Sequence, residues 1–121
     1  MSEHMAMMWN VRPGTEETVK SLFADYKSPD YSVKDEDGNE VGRLLKTQVF
    51  MKGNTIVRVI EYEGPLPLIG RHMSQQKGIK ELEDKLDDYL EVPRDMTTPE
   101  GVRKFFMETG MQCLVSRGAE K

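Results

Sequence analysis

The chain has 121 residues, of which 37% are hydrophobic and 31% charged, enough for one domain around one modest core. Its 17 basic and 21 acidic residues are interspersed and leave a net charge of −4, so no basic stripe exists and nucleic acid is not an expected partner. No apolar run approaches the roughly 20 residues that cross a bilayer, the Met-rich start at Met5–Trp9 is too short for a signal peptide, and the single Cys113 offers no internal disulfide, so a reducing, cytoplasmic setting is expected.

In chain order, Met5 to Val11 reads as a first strand, stopped by Arg12-Pro13-Gly14. Thr15 is placed to N-cap a helix with Glu16 and Glu17 in its first turn, near the positive end of the helix dipole. Val19, Leu22, Phe23 and Tyr26 give that helix one apolar face. The polar stretch from Ser28 to Gly42, with its Asp35-Glu36-Asp37 run, reads as a loop. Two β-rich runs follow, Leu44 to Met51 and Ile56 to Tyr62, and Gly53-Asn54 between them is a hairpin signal. Gly64-Pro65-Leu66-Pro67 breaks the chain. A helical stretch from Leu68 to Tyr89 then carries the stripe Ile79, Leu82, Leu86 and Leu90, with a kink or restart expected at Gly78. Thr97-Thr98-Pro99-Glu100 opens a further helix anchored by Phe105 and Phe106, and Met111 to Ser116 reads as a last strand. The order β-α-β-β-α-(α)-β predicts an α+β, ferredoxin-like domain over residues 1–121, with a looser α+β sandwich as the alternative.

Side chains alternate faces along a strand. With Gly53-Asn54 as the turn, Leu45, Thr47, Val49 and Met51 share one face with Ile56, Arg58, Ile60 and Tyr62. Leu44, Lys46, Gln48 and Phe50 share the other with Val57, Val59 and Glu61. Both faces are partly apolar, whereas a sheet wetted on one side alternates more cleanly. Helices cover one face, so a second copy of the chain is the expected cover for the other, as a homodimer.

Two polar residues stand out for chemistry. His72 falls on the apolar side of the long helical stretch, with Gln75 and Gln76 one turn on. There a neutral imidazole can serve as a general base, or be a core histidine satisfied by neighbours. Arg58 lies mid-strand among Ile56, Val59 and Ile60, where an isolated buried charge is costly. It either stabilises an enolate or phenolate oxygen or pairs with Glu61, Glu63 or an acid elsewhere. Gln48 can hydrogen-bond a carbonyl, Gln76 flanks His72, and Trp9 and Tyr62 can stack on an aromatic ligand or fill the core. His4 and His72 with one Cys give no zinc or iron spacing. Ser21, Ser74 and Ser116 lack a nucleophile-elbow context. No Gly-rich phosphate loop is present, so neither flavin nor nicotinamide is indicated and no cofactor is expected.

Three stretches carry a family resemblance: Val11-Arg12-Pro13-Gly14-Thr15-Glu16-Glu17; Val49 to Asn54 running into Val57-Arg58-Val59-Ile60-Glu61; and Tyr89-Leu90-Glu91-Val92-Pro93-Arg94-Asp95 followed by Thr98-Pro99-Glu100-Gly101 and Phe105-Phe106. In order and spanning most of the chain, they resemble the SchA/CurD-like family of polyketide biosynthesis proteins. The resemblance implies a dimeric α/β barrel related to tetracenomycin-type cyclases and to cofactor-free quinone-forming monooxygenases. It implies an aromatic polyketide intermediate as ligand and type II polyketide synthase components as possible partners. The leading expectation is a cyclase or aromatase. The alternatives are a cofactor-independent monooxygenase converting an anthrone-like ring to a quinone, and a non-catalytic polyketide-binding or assembly protein.

Overall fold

A computed structural model describes residues 2–25 and 30–119. Strand β1 (Glu3–Asn10) leads through the Arg12-Pro13-Gly14 turn into helix α1 (Glu16–Asp25). Thr15 steadies this start by donating its hydroxyl to the Arg12 carbonyl at 2.6 Å, and Glu16 accepts from the Gly14 N–H at 2.7 Å. Tyr26, Ser28 and Pro29 lie outside the described residues.

The expected polar loop contains a strand, β2 (Ser32–Lys34), paired with β3 (Glu40–Lys52). The acidic run between them is a solvent-exposed turn. Asp35 Oδ1 accepts from the Asp37 and Asn39 N–H groups, both at 2.9 Å. A three-residue strand is too short to leave a period-2 signature, which is why the sequence reads as a loop.

Strands β3 and β4 (Thr55–Glu63) form the hairpin, with Lys52 opposite Thr55 and two residues in the loop. Gly53 takes φ +57° while Asn54 keeps a negative φ, as a II′ turn requires. Gly64 (φ +104°) then turns the chain out of the sheet beside Gly42, where a Cβ would lie 2.8 Å from the Gly42 Cα.

The long helical stretch is two helices. Helix α2 (Leu66–Gln75) ends where Gln76 adopts φ −71°, ψ 128°, and α3 (Lys77–Leu86) restarts there, two residues before the expected Gly78. A 3₁₀ turn at Asp87–Tyr89 follows. Val11 then bridges Leu90, returning the chain to the end of β1. Helix α4 (Pro99–Thr109) starts at the predicted signal, with Thr98 Oγ1 accepting from the Gly101 N–H at 3.1 Å. Gly101 is required by space, since a Cβ would collide with the Asp95 carbonyl. The last strand, β5 (Gly110–Gln112), is shorter than expected and exposed.

The sheet order is β2-β3-β4-β1-β5, with every neighbouring pair antiparallel. All helices pack on one face, in two apolar clusters. One joins Met7, Trp9, Val11 and Ile56 to Val19, Leu86 and Leu90; the other joins Leu44, Ile60 and Tyr62 to Ile69, Met73 and Ile79. The opposite face is uncovered in the single chain, with Met8 and Phe50 exposed.

These observations correct the expected ferredoxin-like β-α-β-β-α-β domain of a dimeric α/β barrel. The sheet is open and five-stranded, and the described residues form four α-helices. It stays open because its edge strands, β2 and β5, have three residues each and pair on one side only. Closure requires the edges to meet. The second correction concerns β3, where a bulge between Leu44 and Lys46 shifts the register. Leu44, not Leu45, therefore joins Tyr62 on the helix-covered side, and Leu45 is exposed.

Candidate functional site

Arg58 is buried to 3% exposure on β4, between Ile56 of one cluster and Ile60 of the other. Alternation along β4 dictates this placement: Ile56, Ile60 and Tyr62 all face the helices, and Arg58 shares their parity. A guanidinium held there needs an anion, and α3 supplies it. Packing Ile79, Leu82 and Leu86 into the core sets Glu83 at the flank of the stripe, with Oε1 3.6 Å from Arg58 Nη1.

The second oxygen of Glu83 accepts from Arg94 Nη2, and Arg94 Nε donates to Asp87 Oδ1 at 2.8 Å. Two guanidinium groups, with side chains 4% and 5% exposed, thus share one largely buried carboxylate. The second acid, Asp87, is more than a third exposed. Aromatic rings line the network. Arg94 Cζ lies 4.5 Å from the Phe105 ring centroid, and Arg58 Cζ lies 5.9 Å from that of Phe23. The Phe105 ring stands edge-on to Trp9, with centroids 5.9 Å apart at 64°. Among the described residues, Arg58 Nε and Nη2, Arg94 Nη1 and Trp9 Nε1 are buried donors without acceptors.

Beside this network, a groove of about 550 Å³ separates β1 from α4 and the segment before it, lined by Trp9, Leu90, Arg94, Lys104 and Phe105 among others. A second groove, of about 630 Å³, lies between the β1–β5 edge and the C-terminal residues and is lined by His4, Tyr62, Phe106, Met107 and Cys113 among others. Among the described residues no group of three or more His, Cys, Asp or Glu could hold a metal ion. No helix there is long and apolar enough to cross a membrane.

The six residues singled out in the sequence do not converge on one point. Trp9 and Arg58 belong to the same chain of contacts, through Phe105, Arg94 and Glu83. Tyr62 is at the far end of β4, lining the second groove. His72 Nε2 lies 2.6 Å from the Asp30 carbonyl oxygen, while Gln76 Oε1 accepts from the Asp30 N–H at 3.0 Å. These two side chains grip the residue that leads towards β2. A ring that donates through Nε2 keeps Nδ1 as its acceptor when neutral. Gln48 is on the uncovered face near the Lys46–Glu61 pair.

Glu83, Asp87, Arg94 and Phe105 were not identified as polar-site residues from sequence. Glu83 follows a stripe leucine, a place where acids are usually solvated. Arg94 stands in the Pro93-Arg94-Asp95 motif, and that motif was the available signal.

Tyr62 carries a titration signature. Burial pushes its phenol above the ordinary tyrosine value, and the negative charge of Glu3 and a hydrogen bond to that carboxylate add to the shift. The folded state therefore holds this proton more tightly than the unfolded chain. The stabilisation is fully present below roughly pH 10 and is lost as pH rises through the raised value. In an absorbance titration of tyrosinate, the wild type is expected to show a late component that Tyr62→Phe removes and Glu3→Gln moves to lower pH. A Tyr62→Phe titration superimposing on the wild type would contradict this.

Comparison with known proteins follows the same lines. Residues 2–119 match the family described as the SchA/CurD like domain. The chain is 42% identical over 109 residues to the 42.8 kDa protein in the whiE locus of Streptomyces coelicolor, covering 90% of this chain and 26% of that protein. It is 36% identical over 115 residues to the polyketide synthase CurD of Streptomyces cyaneus, covering 93% and 30%. It is 32% identical over 109 residues to the protein SchA of Streptomyces halstedii, covering 90% and 27%. The chain thus spans under a third of the length of these relatives. In fold it is similar to tetracenomycin F2 cyclase from Streptomyces glaucescens, a type II polyketide cyclase, with a TM-score of 0.52 at 16% identity over 98% of this chain and 99% of that one.

Proposed function

Because the chain belongs to the SchA/CurD-like domain family, we propose that it is a tailoring enzyme that cyclises or aromatises an aromatic intermediate of a type II polyketide synthase. The observation that carries the reading is the Arg58–Glu83–Arg94 network beside an aromatic groove. It brings two buried guanidinium groups with donors to spare together, and one of them, Arg94, lines a space that admits a flat ligand.

In the proposed reaction a base removes a proton from a methylene between two carbonyls. The resulting enolate carbon attacks a distant carbonyl carbon, forming the new C–C bond and leaving an alkoxide. The alkoxide takes up a proton, and loss of water from the closed ring leads on to its aromatic form. No electrons are gained or lost, so protein groups suffice for the balance. Arg58 is assigned to the oxyanion. His72 is assigned as the base through Nδ1, on condition that the substrate spans from the Arg58 network to α2. Trp9 is assigned to the wall that receives the substrate. The expected partners are the polyketide intermediate, synthase components in the cytoplasm, and a second copy of the chain over the open sheet face.

The test is incubation of the pure protein with the products of a reconstituted synthase, with and without oxygen. A change of ring pattern independent of oxygen is the expected result. Quinone formation that requires oxygen would replace the cyclase by a cofactor-independent monooxygenase. No change under either condition would leave a polyketide-binding or assembly role.

A further inference from the structure

Trp9 Nε1 and Arg94 Nη1 are buried N–H donors with no acceptor among the described residues, and both residues line the groove between β1 and α4. The rest of Arg94 is committed: Nε to Asp87 and Nη2 to Glu83. This holds the guanidinium over Phe105 and leaves Nη1 as its spare arm. Phe105 in turn meets Trp9 edge to face, so Trp9, Phe105 and Leu90 make an apolar wall with two donors set into it. Lys104 adds a cation to the lining, and Asp95 and Glu108 are its acids. Buried donors of this kind are ordinarily satisfied. A ligand that satisfies them must offer oxygen acceptors, preferably charged, on the edge of a flat apolar body. The groove's volume of about 550 Å³ suits a small fused-ring molecule.

We propose that the groove between β1 and α4 is a binding subsite for a planar hydroxyaromatic anion, its ionised oxygen edge held by Arg94 Nη1 and Trp9 Nε1 and its ring against Phe105. The inference rests on the polyketide reading and deepens it, because it specifies the ionised, already aromatic form of the ligand and the residues that select it. The selectivity follows from the donors. An anion accepts from both donors with full charge assistance at Arg94, whereas a neutral ester of the same shape offers only uncharged carbonyl and phenol oxygens, which make weaker bonds.

Trp9 is the only tryptophan in the chain, so its indole reports on the groove without ambiguity. The probe is 3-hydroxy-2-naphthoate, compared with its methyl ester. Affinity is read by calorimetry and the site by the Trp9 indole N–H resonance of the whole chain. The acid is expected to bind at least about tenfold more tightly than the ester, to shift the indole resonance and to slow its hydrogen exchange. Arg94→Lys keeps a cation beside Glu83 but removes the spare arm, and is expected to bring acid and ester to similar affinity. Should that variant fold poorly, the wild-type resonance still decides. Equal affinity for acid and ester, no binding at millimolar probe, or binding that leaves the Trp9 indole unmoved would each overturn the subsite. Because no turnover is measured, a protein that binds the acid selectively yet leaves polyketides unchanged would refute the enzymatic reading alone. One that cyclises without selecting acid over ester would refute the subsite alone.

Discussion

Glu83→Gln is expected to cost about 3–5 kcal/mol of folding stability, the usual penalty for stripping one partner from a buried ion pair. The amide keeps the size of the side chain and removes its charge. Arg58, buried between the two apolar clusters, then has no identified carboxylate beside it. Arg94 keeps only Asp87, whose exposed position weakens what it can offer in return. A domain of this size has about 5–15 kcal/mol in total, so the loss should move the urea midpoint far to the left without changing the slope. Replacing Arg58, Glu83 and Arg94 together by apolar residues of similar volume should recover most of it, since the cost lies in unpaired charge rather than in lost attraction. A Glu83→Gln midpoint within about 1 kcal/mol of the wild type would mean that water reaches the network and screens it.

If the proposed cyclisation holds, Arg58→Met is expected to leave the fold intact while lowering turnover roughly 10²–10³-fold, the usual effect of removing one oxyanion donor. The contrast with Glu83→Gln arises because methionine fills the space of the arginine stem and leaves Glu83 paired to Arg94. Circular dichroism and the urea midpoint should therefore stay near wild type while kcat falls. Turnover close to the wild-type rate in a folded Arg58→Met protein would make the arginine a structural ion. The same assay separates His72. If its Nδ1 is the base, His72→Gln loses about 10²–10⁴-fold in turnover while keeping the fold. An unchanged rate in His72→Gln would assign the residue, with Gln76, to holding Asp30 alone.

Much of the architecture is legible in the sequence because its signals are local. The Gly53-Asn54 turn fixes which residues of β3 and β4 face together, and Thr98-Pro99 marks the first turn of α4. Ile79, Leu82 and Leu86 are buried, as their helical spacing requires, while Leu90 is buried beyond the helix where it bridges Val11. The misses are where a local rule meets a longer-range one. The exchange of Leu44 for Leu45 follows from a bulge, which inserts a residue without leaving a compositional mark. The helix breaks at Gln76, two residues before Gly78. There Gln76 adopts an extended backbone conformation while its side chain accepts from the Asp30 N–H, a partner 46 residues away. The site was legible to the extent that an arginine in the middle of a strand demands an acid. That this acid is Glu83, shared with Arg94, depends on how α3 lies across β4, which no spacing within either segment specifies.

The pairing of β1 with β5 sets Met5 opposite Gln112, so the incoming and outgoing ends of the domain leave side by side at one corner. A unit built this way is a cassette: it can be joined into a longer polypeptide through two adjacent strands without rerouting chain across its faces. Such a splice point lies beside the second groove and leaves the Arg58–Glu83–Arg94 network and the groove between β1 and α4 on the other side of the β1–α4 contact. That suits a domain that corresponds to 26–30% of the length of its Streptomyces relatives.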